Sequence, residues 1–128
     1  MDKLSGYIEC EIGGEVRPIK FGMGAWVIVC EEREKNLRTM FDGLSEFAMI
    51  GWVIYAGVKF ACLAGYSNQK PPENVYVVLD LISDIDTATL ESITKTFMSS
   101  KISGKTMQEY VKMAADADDS DKKKAKKH

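Results

Sequence analysis

Histidine is almost absent from this 128-residue sequence, because the only one is His128, the last residue. Histidine is the usual general base near neutral pH and the commonest metal ligand in proteins. Its position argues against nucleophilic catalysis of the Ser–His or Cys–His kind, and the sequence carries no other arrangement of acid, base and nucleophile. We therefore predict that the protein is not an enzyme and that it has no cofactor.

The sequence also lacks any Cys-x-x-Cys pair. Its three cysteines, Cys10, Cys30 and Cys62, are far apart and lie among apolar or strand-forming residues. Isolated thiols offer no zinc-binding spacing and suit reduced side chains that pack as small hydrophobic groups. No apolar run follows the first charged residues, so no secretory signal is expected. We predict no metal site and a location in the cytoplasm of a bacterial host.

An excess of positive charge is missing as well. The 17 basic and 19 acidic residues give a formal net charge of −2, whereas binding to nucleic acid depends on a positive field. The lysines between Lys122 and Lys127 follow four aspartates and have no aromatic residue among them for base stacking. We predict no nucleic-acid partner and interpret 116–128 as a disordered, charged tail.

The sequence does have enough apolar residues, 45% of the total, to form one hydrophobic core. The pattern predicts an α+β fold that is mostly α, in which an N-terminal β-hairpin packs on a bundle of about five helices around a central apolar helix. We expect one globular domain over 1–115. Its elements are predicted as a hairpin at 7–21 and helices at about 23–33, 37–42, 46–64, 72–83, 88–100 and 106–115.

The hairpin is predicted from alternating apolar and polar residues on both sides of Gly13-Gly14, a pair suited to a tight turn. In a regular register Val16 and Ile19 fall on opposite faces of the second strand. A bulge at Pro18 is an alternative that would return Ile19 to the apolar face. The sequence leaves the register open.

The central helix at 46–64 is apolar on all sides, so it is expected to be buried on all sides. The alternative is a membrane span, because 47–66 contains twenty residues with a single charge. That charge, Lys59, would lie well inside the bilayer, and only the twelve residues 47–58 are free of charge. These features favour a core helix over a membrane span.

Two short motifs have more ordinary interpretations than ligand binding. Gly22-Met23-Gly24 is similar to a phosphate-binding loop, but Val27 stands where the dinucleotide fingerprint needs a small residue. Asp80, Asp84 and Asp86 are expected at a solvated helix end, because the spacing of a calcium loop is absent. Apolar strips with methionine and aromatic residues are better candidates for binding a partner protein. The residues in these strips are Met107, Tyr110 and Val111, and Met23, Trp26 and Met40.

Three local runs resemble the tail assembly chaperones of long-tailed bacteriophages and prophages. The first runs from Ile12-Gly13-Gly14-Glu15 through Pro18-Ile19-Lys20-Phe21-Gly22 into a helix that ends Cys30-Glu31-Glu32. The second is Asn36-Leu37, and the third is Tyr55-Ala56-Gly57 followed by a polar loop. Together they cover about Ile8 to Phe97. The sequence departs from the family at Glu34-Lys35, where a glycine often follows the first helix.

The resemblance implies that the protein binds the helical tape measure protein and helps to recruit tail tube subunits. Association of the chain with itself stays open. Two alternatives follow from the residues alone: a small membrane-active, holin-like protein that uses 47–66 as a span, and a general protein-interaction module.

Overall fold

The chain forms an N-terminal β-hairpin, four helices, a second short hairpin and a final helix. The structure is a computed structural model that describes residues 6–113. Its elements are β1 (Tyr7–Ile12), β2 (Glu15–Lys20), α1 (Met23–Arg33), α2 (Glu46–Leu63), α3 (Val75–Leu81), α4 (Thr87–Ser99), β3 (Lys101–Ile102), β4 (Lys105–Thr106) and α5, which begins at 107 and is described to 113. The predicted α+β, mostly α class is confirmed. The predicted tail at 116–128 lies outside the described residues.

The first hairpin has a regular register. Its two-residue turn, Gly13-Gly14, has positive φ at both positions, 64° and 82°, which is the geometry that suits the twist of the paired strands. Ile8 lies opposite Ile19, and directly opposed residues share a face of the sheet. Val16 lies on the other face and is exposed. The alternative with a bulge at Pro18 is therefore wrong, since pairing is continuous through that residue.

An aromatic cluster joins this hairpin to the helices. The Trp26 ring on α1 stacks on Phe21 with ring centroids 5.8 Å apart, and meets the ring of Phe97 edge-on at 5.3 Å and that of Phe41 at 6.4 Å. Such pairs contribute about 0.5–1.5 kcal/mol each beyond their buried area. Because the four rings come from the residue after β2, from α1, from the segment 37–42 and from α4, the cluster fixes α1 and α4 relative to the end of β2.

The segment 37–42 does not form the predicted helix. It is a series of turns with i to i+3 hydrogen bonds, such as Asp42 N to Thr39 O at 2.9 Å. The guanidinium of Arg33 donates hydrogen bonds to the carbonyl oxygens of Met40 and Asp42, so it satisfies acceptors that a continuing helix would use. The side chain of Asn36 accepts from the backbone N–H of Thr39 at 3.1 Å and caps the first turn.

Helix α2 lies at the centre and packs against β2, α1 and α3. Ser45 is its N-cap, as predicted, and accepts a hydrogen bond from Ala48 N. Two glycines allow close approach of neighbouring elements. A Cβ at Gly57 would lie 2.4 Å from Cγ2 of Ile19 on β2, and a Cβ at Gly51 would lie 2.5 Å from Cδ2 of Leu79 on α3. Strand β2 is therefore held against the C-terminal half of α2, and helix α3 is held against its N-terminal half.

The C-terminal elements differ from the sequence-based prediction in their bounds. The predicted 72–83 helix is shorter, because Asn74, which accepts from Val77 N at 3.1 Å, caps α3. Helix α4 begins after the N-cap Asp86. The hairpin of β3 and β4 was missed, although its turn at Ser103-Gly104, with φ of 51° and 83°, is a recognised turn dipeptide. The last helix consequently begins at 107 and not at 106.

Candidate functional site

The only charged residue in the interior of α2, Lys59, belongs to a hydrogen-bonded network with α1. Lys59 Nζ donates to Glu32 Oε2 at 2.9 Å, and the hydroxyl of Tyr55 donates to Glu32 Oε1 at 2.7 Å. Burial and the bond to Glu32 raise the pKa of Tyr55, and the bond to Glu32 raises the pKa of Lys59. The network closes the C-terminal half of α2 against α1.

The N-terminal half of α2 is open on one side. Phe47, in its first turn, is 80% exposed, and Met49 and Ile50 are only partly buried. Full burial of a phenylalanine side chain contributes about 1.5–3 kcal/mol, so the fold leaves most of that contribution unused at Phe47. The expectation that α2 is buried on every side is wrong for this half.

An apolar groove runs along this open side, between α2 on one wall and α4 on the other. It consists of two adjacent recesses, of about 140 Å³ and 420 Å³, that share Ile50 and Leu90 as lining residues. The α2 wall consists of Phe47, Met49, Ile50, Val53 and Ile54. The α4 wall consists of Leu90, Ile93, Thr94, Phe97 and Met98. Leu79, Ile82, Ser83 and Ile85, from α3 and the loop after it, close one end.

The chemistry of the groove is almost entirely apolar. Thr94 and Ser83 are the only polar side chains that line it among the described residues. From Leu90 to Met98 the α4 wall is about 12 Å long at 1.5 Å per residue, or about two helical turns. Methionines at Met49 and Met98 can adapt to the shape of a bound apolar surface. Such a groove suits the apolar face of a short helix.

Within residues 6–113, no group of three His, Cys, Asp or Glu side chains is placed to hold a metal ion. Cys10, Cys30 and Cys62 are free thiols, and each is partly buried. Burial raises the pKa of Cys10 to about 11, which is opposite to the change that activates a nucleophilic cysteine. Cys10 and Cys30 pack against the hydrophobic core.

The six residues proposed from sequence for partner binding are not brought together. Trp26, Met40 and Met107 are buried in the core, so their prediction as surface residues is wrong. They had the right helical spacing, but the same spacing serves core packing equally well.

The other three predicted residues, Met23, Tyr110 and Val111, are accessible to different degrees. Met23 is 45% exposed, Val111 is 39% exposed and Tyr110 is partly buried. None of the three lines the groove. The groove residues on α4 follow the i, i+3, i+7 spacing from Leu90, which marked an apolar face in the sequence. No signal in the sequence indicated that the face would be left partly uncovered.

Helix α2 is also long and apolar enough to cross a membrane, judged by length and composition, a test that core helices pass too. In this structure eight of its residues are buried against other elements. Comparison with protein-family models, with curated proteins and with solved structures finds no match to this chain.

Proposed function

We propose that this protein is a tail assembly chaperone of a long-tailed bacteriophage or prophage, and that it binds helical segments of the tape measure protein in the groove between α2 and α4. The observation that carries the proposal is the groove itself, an apolar channel about two helical turns long beside the exposed Phe47. Amphipathic helices bind other proteins by placing their apolar face in such a channel. The resemblance in the runs around Gly13-Gly14, Asn36-Leu37 and Tyr55-Ala56-Gly57 supports the choice of partner.

In this function the groove shields apolar helix faces of the tape measure protein until tail tube subunits enclose them. A long helical chain exposes many such faces before assembly, and exposed apolar patches favour aggregation. Recruitment of the tube subunits is the second part of the proposal, and it rests on the family resemblance alone. The function needs no cofactor and no catalytic residue.

Co-expression with the long helix-forming protein encoded downstream in the same gene cluster tests the proposal. The two proteins should co-purify, and Thr94→Glu should weaken the complex at least tenfold, because a carboxylate would be carried into an apolar interface. Thr94 is exposed on the groove wall, so this variant should fold normally. Val16→Glu is the matched control, since Val16 is exposed on β2 and is not among the groove-lining residues.

Two results would contradict the proposal. One is a gene cluster with no tail tube gene upstream and no long helical gene downstream. The other is a complex that Thr94→Glu and Val16→Glu affect equally, since the groove would then have no part in it. Binding is best measured by titration of the purified proteins, with circular dichroism to verify that both variants are folded.

A further inference from the structure

Resting on the proposed function, we further propose that the groove selects helices with lysine or arginine next to the apolar face, because an acidic hollow lies next to one end of the groove. The hollow has a volume of about 570 Å³ and is lined by carboxylates of Glu11, Asp80, Asp84 and Asp86. Among the residues described, no lysine or arginine lines it. The residues that line the hollow therefore carry a net negative charge.

The hollow lies next to the groove. Ile85, in the loop between α3 and α4, lines both the hollow and the adjoining recess of the groove. A helix that lies in the groove and extends past Ile85 brings its next residues over the hollow. The partner is thus specified by two neighbouring features, an apolar stripe about two turns long and a basic residue just beyond one end of that stripe.

The local electrostatics favour a cation at this place. Asp80 lies in the last turn of α3, which contains no basic residue, and a carboxylate there opposes the negative end of the helix dipole. Asp86 caps α4 through a 2.6 Å hydrogen bond from Thr89 N. That hydrogen bond lowers the pKa of Asp86. A lysine or arginine of the partner would relieve the unfavourable interactions at the end of α3.

The experiment uses the full chain and three synthetic amphipathic helices with the same leucine and methionine stripe. The peptides are flanked at both ends by three lysines, three glutamines or three glutamates, so that their orientation in the groove does not matter. Binding is measured by fluorescence anisotropy at low and high salt. We expect the lysine peptide to bind about tenfold more tightly than the glutamate peptide at low salt. High salt should reduce the difference, because the carboxylates are exposed.

Two variants identify the acidic hollow as the source of the preference. Asp80→Asn combined with Asp84→Asn should remove the preference for lysine and leave the affinity for the glutamine peptide unchanged. Glu34→Gln combined with Glu109→Gln changes the net charge equally at exposed positions that do not line the hollow. This control should keep the preference.

The inference is overturned if the lysine and glutamate peptides bind equally, if none of the peptides binds, or if the preference survives Asp80→Asn with Asp84→Asn. It is also overturned if changing the five lysines of 122–127 to glutamine raises the affinity for the lysine peptide tenfold. The hollow would then bind the lysines of 122–127 of the same chain and not a partner. A clear lysine preference without binding to the tape measure protein would support this inference and contradict the proposed function. If the tape measure protein binds in a way that depends on Thr94 but the peptides show no lysine preference, the proposed function is supported and this inference is contradicted.

Discussion

Replacing Gly57 by alanine should destabilise the protein although alanine is the better helix former. The new Cβ would lie 2.4 Å from Cγ2 of Ile19 and 2.7 Å from Cε1 of Phe21. Both side chains are almost completely buried, so they have no free space in which to move. Overpacking of this kind costs about 1–3 kcal/mol, and the gain in helix propensity is about 1 kcal/mol. The free energy of unfolding should therefore fall by about 1 kcal/mol, and by roughly 2 at most.

Gly51→Ala is the matched control on the same helix, with the same gain in propensity. Its Cβ would meet Cδ2 of Leu79 at 2.5 Å, but Leu79 is only partly buried and lines the groove. Leu79 can move into that space, so the stability of this variant should be unchanged or slightly higher. Urea unfolding followed by circular dichroism gives both values. Equal stability of the two variants would refute the argument that β2 packs tightly on Gly57.

Two further outcomes follow from the titratable side chains. Because the pKa values of Tyr55 and Lys59 are raised in the folded state, their contribution to stability is present below the unfolded-state values near 10 and is lost as pH rises above them. Between pH 9 and 11 the melting temperature of Tyr55→Phe should therefore fall less steeply than that of the wild type. Tyr76→Phe, at an exposed position, is the control and should behave like the wild type. Identical slopes for the two variants would contradict this. Burial raises the pKa of Cys10 from 9.0 to about 11, so alkylation of this thiol should be about a hundredfold slower in the folded protein than in urea. Mass spectrometry measures both rates. Similar rates would show that this thiol is not buried.

Much of the fold is predictable from short stretches of sequence, because neighbouring residues determine where turns form and where helices begin. Gly13-Gly14 fixes the turn of the first hairpin, and the capping residue Ser45 fixes the start of α2. The segment 37–42 shows where these rules fail. Its apolar spacing fits a helix, but the core accepts the same side chains from a series of turns in which Arg33, four residues before the segment, donates to the carbonyl oxygens of Met40 and Asp42. Apolar spacing carries no information on such a side-chain contact to the backbone.

The candidate site was predictable only in part, for a related reason. The α4 wall of the groove has a helical spacing in the sequence, with Leu90, Ile93 and Phe97 at i, i+3 and i+7. What periodicity does not contain is the distance between two faces after folding. Trp26 and Met40 were assigned to the surface for the same reason, since an apolar strip has the same pattern whether the fold covers it or leaves it open.

Helix α2 illustrates how composition relates to burial. A helix that is apolar on all sides needs other surfaces to shield its side chains from water, but those surfaces can belong to a second chain. Over most of its C-terminal half, β2 and the network of Tyr55 and Lys59 with Glu32 cover it, and only the last residue, Leu63, is exposed. At its N-terminal half the fold stops short, and Phe47 stands in solvent beside an apolar groove. Burial of Phe47 and its neighbours is worth several kcal/mol, which a partner helix would recover on binding. On the proposed function, the uncovered half of α2 is where a partner helix would gain free energy on binding.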